Sequence, residues 1–132
     1  MNVVITLPKE LIDAIIDGRK IFEMRKTVPL HLRLSEDGFF CVEKGTKNVW
    51  CWCRVDAFYD SEYPVKYGSH LPEYLAVSRK WMDDYMKGKT VKLWSIGQVV
   101  TFEKPLLIDK DLFVDRAPQS FAYTPLSSGR SY

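Results

Sequence analysis

Lys20, Glu23 and Arg25 fall within one short run, Gly18-Arg-Lys-Ile-Phe-Glu-Met-Arg25, directly behind a helix stop. A lysine at the rim of a partly apolar pocket pairs with an anion or, once desolvated, serves as a base or nucleophile. An arginine fork grips a phosphate or carboxylate through two parallel bonds, and a glutamate two residues away, about 7 Å along a strand, can share the ligand. Read as a strand from Ile21, the run sets Lys20 with Phe22 and Met24 on one face, and Glu23 and Arg25 with Ile21 on the other. Both faces then carry charge. A strand that serves only a core rarely does so, and one charged set is expected to line a solvated groove. The plainer alternatives are a solvated lysine after a helix and a Glu23–Arg25 ion pair that closes a barrel end.

The elements that must position these residues are legible around them. Leu7, Leu11, Ile12, Ile15 and Ile16 repeat at helical spacing, with Pro8 suited to the first turn and Gly18 to the left-handed position after the last. Val3 to Thr6 reads as a first strand, Ile21 to Val28 as the charged strand, and Gly38 to Glu43 and Asn48 to Phe58 as a hairpin turning at Gly45. Asp60 to His70 reads as an irregular loop. A second helix is expected between Pro72 and Gly88, with Tyr74, Leu75, Ser78, Trp81, Met82 and Tyr85 as its inner stripe. Thr90 to Ile96 and Val99 to Glu103 complete the sheet. Five or six short strands with two helices predict an α+β chain built on a small mixed β-barrel.

The Gly18-x-Lys20-x-x-Glu23-x-Arg25 pattern resembles the signature of the ASCH-domain family, small PUA-like barrels with a glycine, x-lysine and x-x-glutamate or threonine-x-arginine after the first helix. Trp94 to Leu107 is similar to the closing strand pair of that family, and Arg116-Ala-Pro-Gln-Ser-Phe-Ala-Tyr-Thr124 to the loop that follows it in phage and bacterial members. The resemblance runs from about residue 3 to 124. It implies a PUA-like barrel that binds RNA, a nucleotide or a nucleoside, with ligand-binding residues Lys20, Glu23, Arg25, Arg116, Gln119, Ser120 and Tyr123. In one branch, amidohydrolases acting on acetylated cytidine, the lysine and a threonine at the place of Glu23 are catalytic. Here Glu23 replaces that hydroxyl, and no further acid of the branch is identified among Asp56, Asp60 and Glu62. An enzyme of this kind, or a ribonuclease, would use Lys20 and Glu23 as its working pair.

Composition sets the outer limits. The chain of 132 residues is 46% hydrophobic and 14% aromatic, a globular composition, and residues 1–126 are expected to form one domain with a flexible tail at 127–132. A net charge of +2 is too small for broad nonspecific DNA binding. Five basic residues (Arg19, Lys20, Arg25, Lys26, Arg33) face one acid, Glu23, between Gly18 and Arg33, which predicts a local anion site. Cys41, Cys51 and Cys53 lack C-x-x-C spacing and read as reduced strand residues facing with Val49 and Val55; with His31 and His70 away from ligand spacing, neither metal nor cofactor is expected. The absence of a signal-peptide pattern and of a membrane-length apolar run leads to the expectation of a cytoplasmic protein without a membrane partner.

Three further groups hold aromatic or polar handles. Trp50, Trp52 and Arg54 alternate onto one strand face, which reads as a base-stacking platform, as barrel packing beneath a helix, or, with the indoles exposed, as the patch of a protein-interaction module. Tyr59, Tyr63, Tyr67 and His70 fall in the irregular loop, and Gln119, Ser120 and Tyr123 can read a base edge or stack on it.

Overall fold

The computed structural model describes residues 1–62, 70–87 and 89–127; Tyr63, Tyr67, Gly88 and residues 128–132 of the expected tail lie outside them. The elements are β1 (Asn2–Leu7), α1 (Lys9–Ile16), β2 (Phe22–Arg25), β3 (Gly38–Glu43), β4 (Asn48–Glu62), α2 (Leu71–Leu75), α3 (Arg79–Met86), β5 (Thr90–Leu107) and β6 (Ala122–Thr124). The strands form one curled, half-barrel sheet in the order β2-β5-β4-β3-β1-β6, antiparallel throughout except where β1 runs parallel to β3. It is a small α+β PUA-like barrel. No helix among the described residues is long and apolar enough to cross a membrane.

Apolar alternation divides the core. Ile5, Phe39, Cys41, Cys53, Val55 and Trp94 pack beneath α1, which contributes Ile12 and Ile15. Val4, Phe40, Val42 and Trp52 face the other way, against Phe102, Ile108 and Leu112. A third cluster joins Met24 of β2 to Leu71 and Leu75 of α2, Met82 and Met86 of α3, and Val91 and Leu93 of β5.

The expected second helix is two helices. Ala76 sits at φ +58° and ends α2, and Ser78 starts α3 by accepting a hydrogen bond from the Trp81 amide. A serine inside the expected stripe is therefore an N-cap, the role its short hydroxyl favours. The stripe also rotates: Met82 and Met86 are fully buried, whereas Trp81 is 47% exposed. The two expected strands at Thr90 to Glu103 are one strand, β5, and β4 extends through Asp60 to Glu62.

The platform reading of β4 fails on a bulge. Cys41 pairs with Cys51 but Val42 pairs with Val49, which leaves Trp50 as an extra residue and turns it to the α1 side with Cys51. Trp52 remains on the opposite face, fully buried, and donates to Asn2 Oδ1 at 3.2 Å. Val49 likewise faces away from the cysteines. Trp50 donates to Glu43 Oε1 at 2.8 Å beneath the Lys9 ammonium, 4.8 Å from its ring centre. The two indoles thus share no surface.

Candidate functional site

Lys20 reaches the site from the helix side. Gly18, at φ +86°, ends α1, and the Lys20 amide donates to Ala14 O at 3.0 Å, so the backbone of Lys20 is fixed to the last helical turn before β2 begins at Phe22. Because Lys20 precedes the strand, the alternation expected for it does not apply. Its side chain runs to the Glu23 side: Lys20 Nζ lies 3.3 Å from Glu23 Oε1 and donates to Phe22 O at 2.7 Å and Leu75 O at 3.1 Å. All three ammonium directions are engaged, two by backbone carbonyls. Lys20 is 3% and Glu23 4% exposed.

Glu23 is held from both sides. The Met24 amide donates to Oε1 at 3.0 Å, and Arg25 Nη2 donates to Oε2 at 3.2 Å. Burial pushes the Glu23 carboxyl up, but the charges of Lys20 and then Arg25, with the Met24 amide, outweigh it and hold the group below its ordinary value. Arg25 also spans the open seam of the sheet. From edge strand β2 its guanidinium donates to Thr6 O of β1 and to Ser120 O just before β6, on the far edge.

These three side chains form the polar floor of a cavity of about 210 Å³. Leu7, Leu11, Leu75 and Val77 wall it, and Trp81, Tyr85 and Gln119 stand around it. Trp81 and Tyr85 stack at 5.2 Å with 12° between their planes. Burial pushes the Tyr85 hydroxyl up, with Arg25 acting against it and Glu23 with it. An apolar, aromatic-walled recess with a few converging charged groups has the character of a small-ligand site. A larger hollow of about 620 Å³ borders Asn2, Arg33, Asp37 and Leu126, but its charged groups satisfy one another: Asp37 pairs with Arg33 and the Met1 ammonium. Burial raises Asp37, and Arg33 and that ammonium bring it down to about 2.

Of the residues singled out in the sequence, the fold brings Lys20, Glu23, Arg25 and Gln119 to one cavity. Ser120 joins through its carbonyl rather than its hydroxyl. Arg116 is exposed and, with Tyr123, lies outside the cavity lining; the Tyr123 hydroxyl accepts the His31 amide at 3.1 Å and its ring packs on Phe121. His70 is exposed and meets Glu73 at 3.4 Å. Asp56 pairs with Arg54 and Asp60 with Lys92, so neither acid enters the site. Trp81 and Tyr85 are the functional candidates that the sequence pattern concealed, because their i, i+4 spacing is also that of core residues. The distinguishing signal is that Met82 and Met86 repeat the same spacing one position later.

One other cluster has ligand chemistry. The sulfurs of Cys41, Cys51 and Cys53 lie within 4.8 Å of one another, fully buried. Burial pushes the Cys41 and Cys53 thiols up, whereas hydrogen bonds from both bring the Cys51 thiol down to about 5. Ile5, Ile12, Phe39 and Trp94 surround them, an apolar setting that suits packing. Thiol titration is expected to find three groups that react on unfolding and are protected in the native protein, with no stoichiometric zinc by elemental analysis. A bound zinc ion would overturn the packing role.

No family model matches the sequence, and no curated protein matches it. Solved structures do. The chain is similar to the ASCH protein from Zymomonas mobilis, at 18% identity and TM-score 0.70 over 92% of this chain and 86% of that one. A tyrosine-to-phenylalanine variant of that protein gives 20% identity and TM-score 0.74, with 92% and 88% covered. A serine-to-alanine variant gives 19% and 0.71, with 92% and 87% covered.

Proposed function

We propose, from the premise that the chain has an ASCH-type fold, that it is an RNA- or nucleoside-binding module whose ligand enters the cavity floored by Lys20, Glu23 and Arg25. The observation that carries this reading is the buried, preorganised ion triad beneath an aromatic rim. Glu23 Oε2 takes one hydrogen bond, from Arg25, and keeps acceptor capacity for a base amino group, the pairing a carboxylate makes with cytosine. The stacked Trp81–Tyr85 pair stands at the rim of the same cavity. We place the activity in one domain, residues 1–126, in a reducing cytoplasm that suits three free thiols.

Lys20 bears on the hydrolase alternative. Its Nζ is engaged on all three sides, which leaves it no free direction toward a substrate and favours binding over chemistry by a Lys20–Glu23 pair.

Fluorescence anisotropy with short single-stranded RNA, and equilibrium dialysis with nucleosides including acetylated cytidine, test the reading. Lys20 and Arg25 against Glu23 leave one net positive charge at the floor, so a logarithmic salt slope of roughly −0.7 is expected, that of one phosphate contact. Arg25→Ala is expected to weaken binding by about 1–3 kcal/mol. Absence of binding at high protein concentration would refute the module, and turnover of acetylated cytidine by the wild type would move the protein to the enzyme class.

A further inference from the structure

We infer that the site holds two adjoining nucleotides of a single-stranded RNA, the second seated beside Trp81; this rests on the binding reading above. The cavity above the ion triad has a neighbour of about 280 Å³, lined by Pro8, Glu10, Leu11, Ala76, Ser78 and Trp81 among others. Leu11, Val77 and Trp81 line both, so the two recesses are neighbours at the α2–α3 turn with the indole common to them.

Trp81 is prepared for that position. It projects from the first turn of α3, where the Ser78 hydroxyl accepts its amide at 3.1 Å, and Tyr85 one turn later stacks on its ring. An indole already ordered by a parallel ring loses little freedom when a base stacks on it. Yet Trp81 remains nearly half exposed while Met82 beside it is fully buried, so this surface is not consumed by the core.

The two recesses differ in what they can read. The first has a buried carboxylate and a guanidinium and can discriminate base edges. The second has apolar walls with Glu10 and Ser78 at its margin and offers stacking without a buried charge. A base fits this second chemistry whatever its identity, because every base has a π face. A free nucleoside would fill the first recess and leave the second empty. The occupant that uses both is a dinucleotide step, read for identity at one base and for stacking at the next.

The test compares a ribonucleoside, dinucleotides carrying the same base in either order, and a tetranucleotide, by titration against wild type, Trp81→Ala, Trp81→Phe and Arg25→Ala. The dinucleotide is expected to bind 5- to 150-fold more tightly than the nucleoside, the range for one stacked base. Trp81→Ala should remove most of that gain, Trp81→Phe should restore part of it, and Arg25→Ala should weaken every ligand alike. Equal affinity for nucleoside and dinucleotide, or a gain that survives Trp81→Ala, overturns the second seat while the binding module stands. No binding by any ligand overturns both.

Discussion

Glu23→Ala is expected to lower stability by about 3–5 kcal/mol, read as a fall in the urea midpoint with unchanged slope. The substitution leaves the Lys20 ammonium and the Arg25 guanidinium near each other with their shared counter-charge removed, at a position where Lys20 is 3% exposed. Breaking a buried pair from one side strands the other charge, which costs far more than the pair contributes. Glu23→Ala combined with Lys20→Met should therefore be more stable than Glu23→Ala alone, a coupling that would be absent if the ammonium were solvated. The pH dependence follows from the direction of the carboxyl shift. A group held below its unfolded value contributes fully above the ordinary glutamate range near 4.5, and the contribution is lost as pH falls through the folded value. Wild type should thus lose stability below about pH 4.5 more steeply than Glu23→Ala.

Gly38→Ala is expected to cost about 3 kcal/mol or more, or to prevent folding. A Cβ at Gly38 would stand 1.8 Å from Cys53 O and 2.6 Å from Cys53 C, both backbone atoms in the centre of the sheet. Nothing there can rotate away, so β3 and β4 would have to separate. Gly97→Ala is the control. Its Cβ would meet the Asp56 carboxylate at 2.3 Å, a side chain that can swing aside, and a loss nearer 1 kcal/mol is expected. A Gly38 variant no less stable than the Gly97 variant would refute the close approach of the two strands.

Local chemistry made much of the site readable before the fold was known. Gly18 had to end α1, and once it did, Lys20, Glu23 and Arg25 were bound to be near one another. What the spacing concealed was where the strand starts: β2 begins at Phe22 rather than Ile21, and Lys20, left before it, lies on Glu23 instead of opposite it. Period-two reasoning also failed at Trp50, because a bulge is a property of two paired strands and leaves no mark in one of them. Ser78 could have been read correctly. Its hydroxyl is a capping group, and treating it as a stripe residue merged α2 with α3 and hid the turn that carries Val77 and Trp81 to the cavity.

Strand β1, the first to be made, sits between β3 and β6, the last. On a ribosome adding 5 to 20 residues per second, Val3 and Val4 wait roughly 6 to 24 s for Tyr123 and Ala122 to arrive. Arg25 waits roughly 5 to 19 s, since its partner Ser120 O belongs to the same late segment. Until then the nascent chain displays an apolar strand with an open edge, the form of surface that holdase chaperones recognise. Closure of the recess by Arg25 and Gln119 and burial of that edge are one event, timed by the synthesis of residues 119–124 rather than by the speed of any local step.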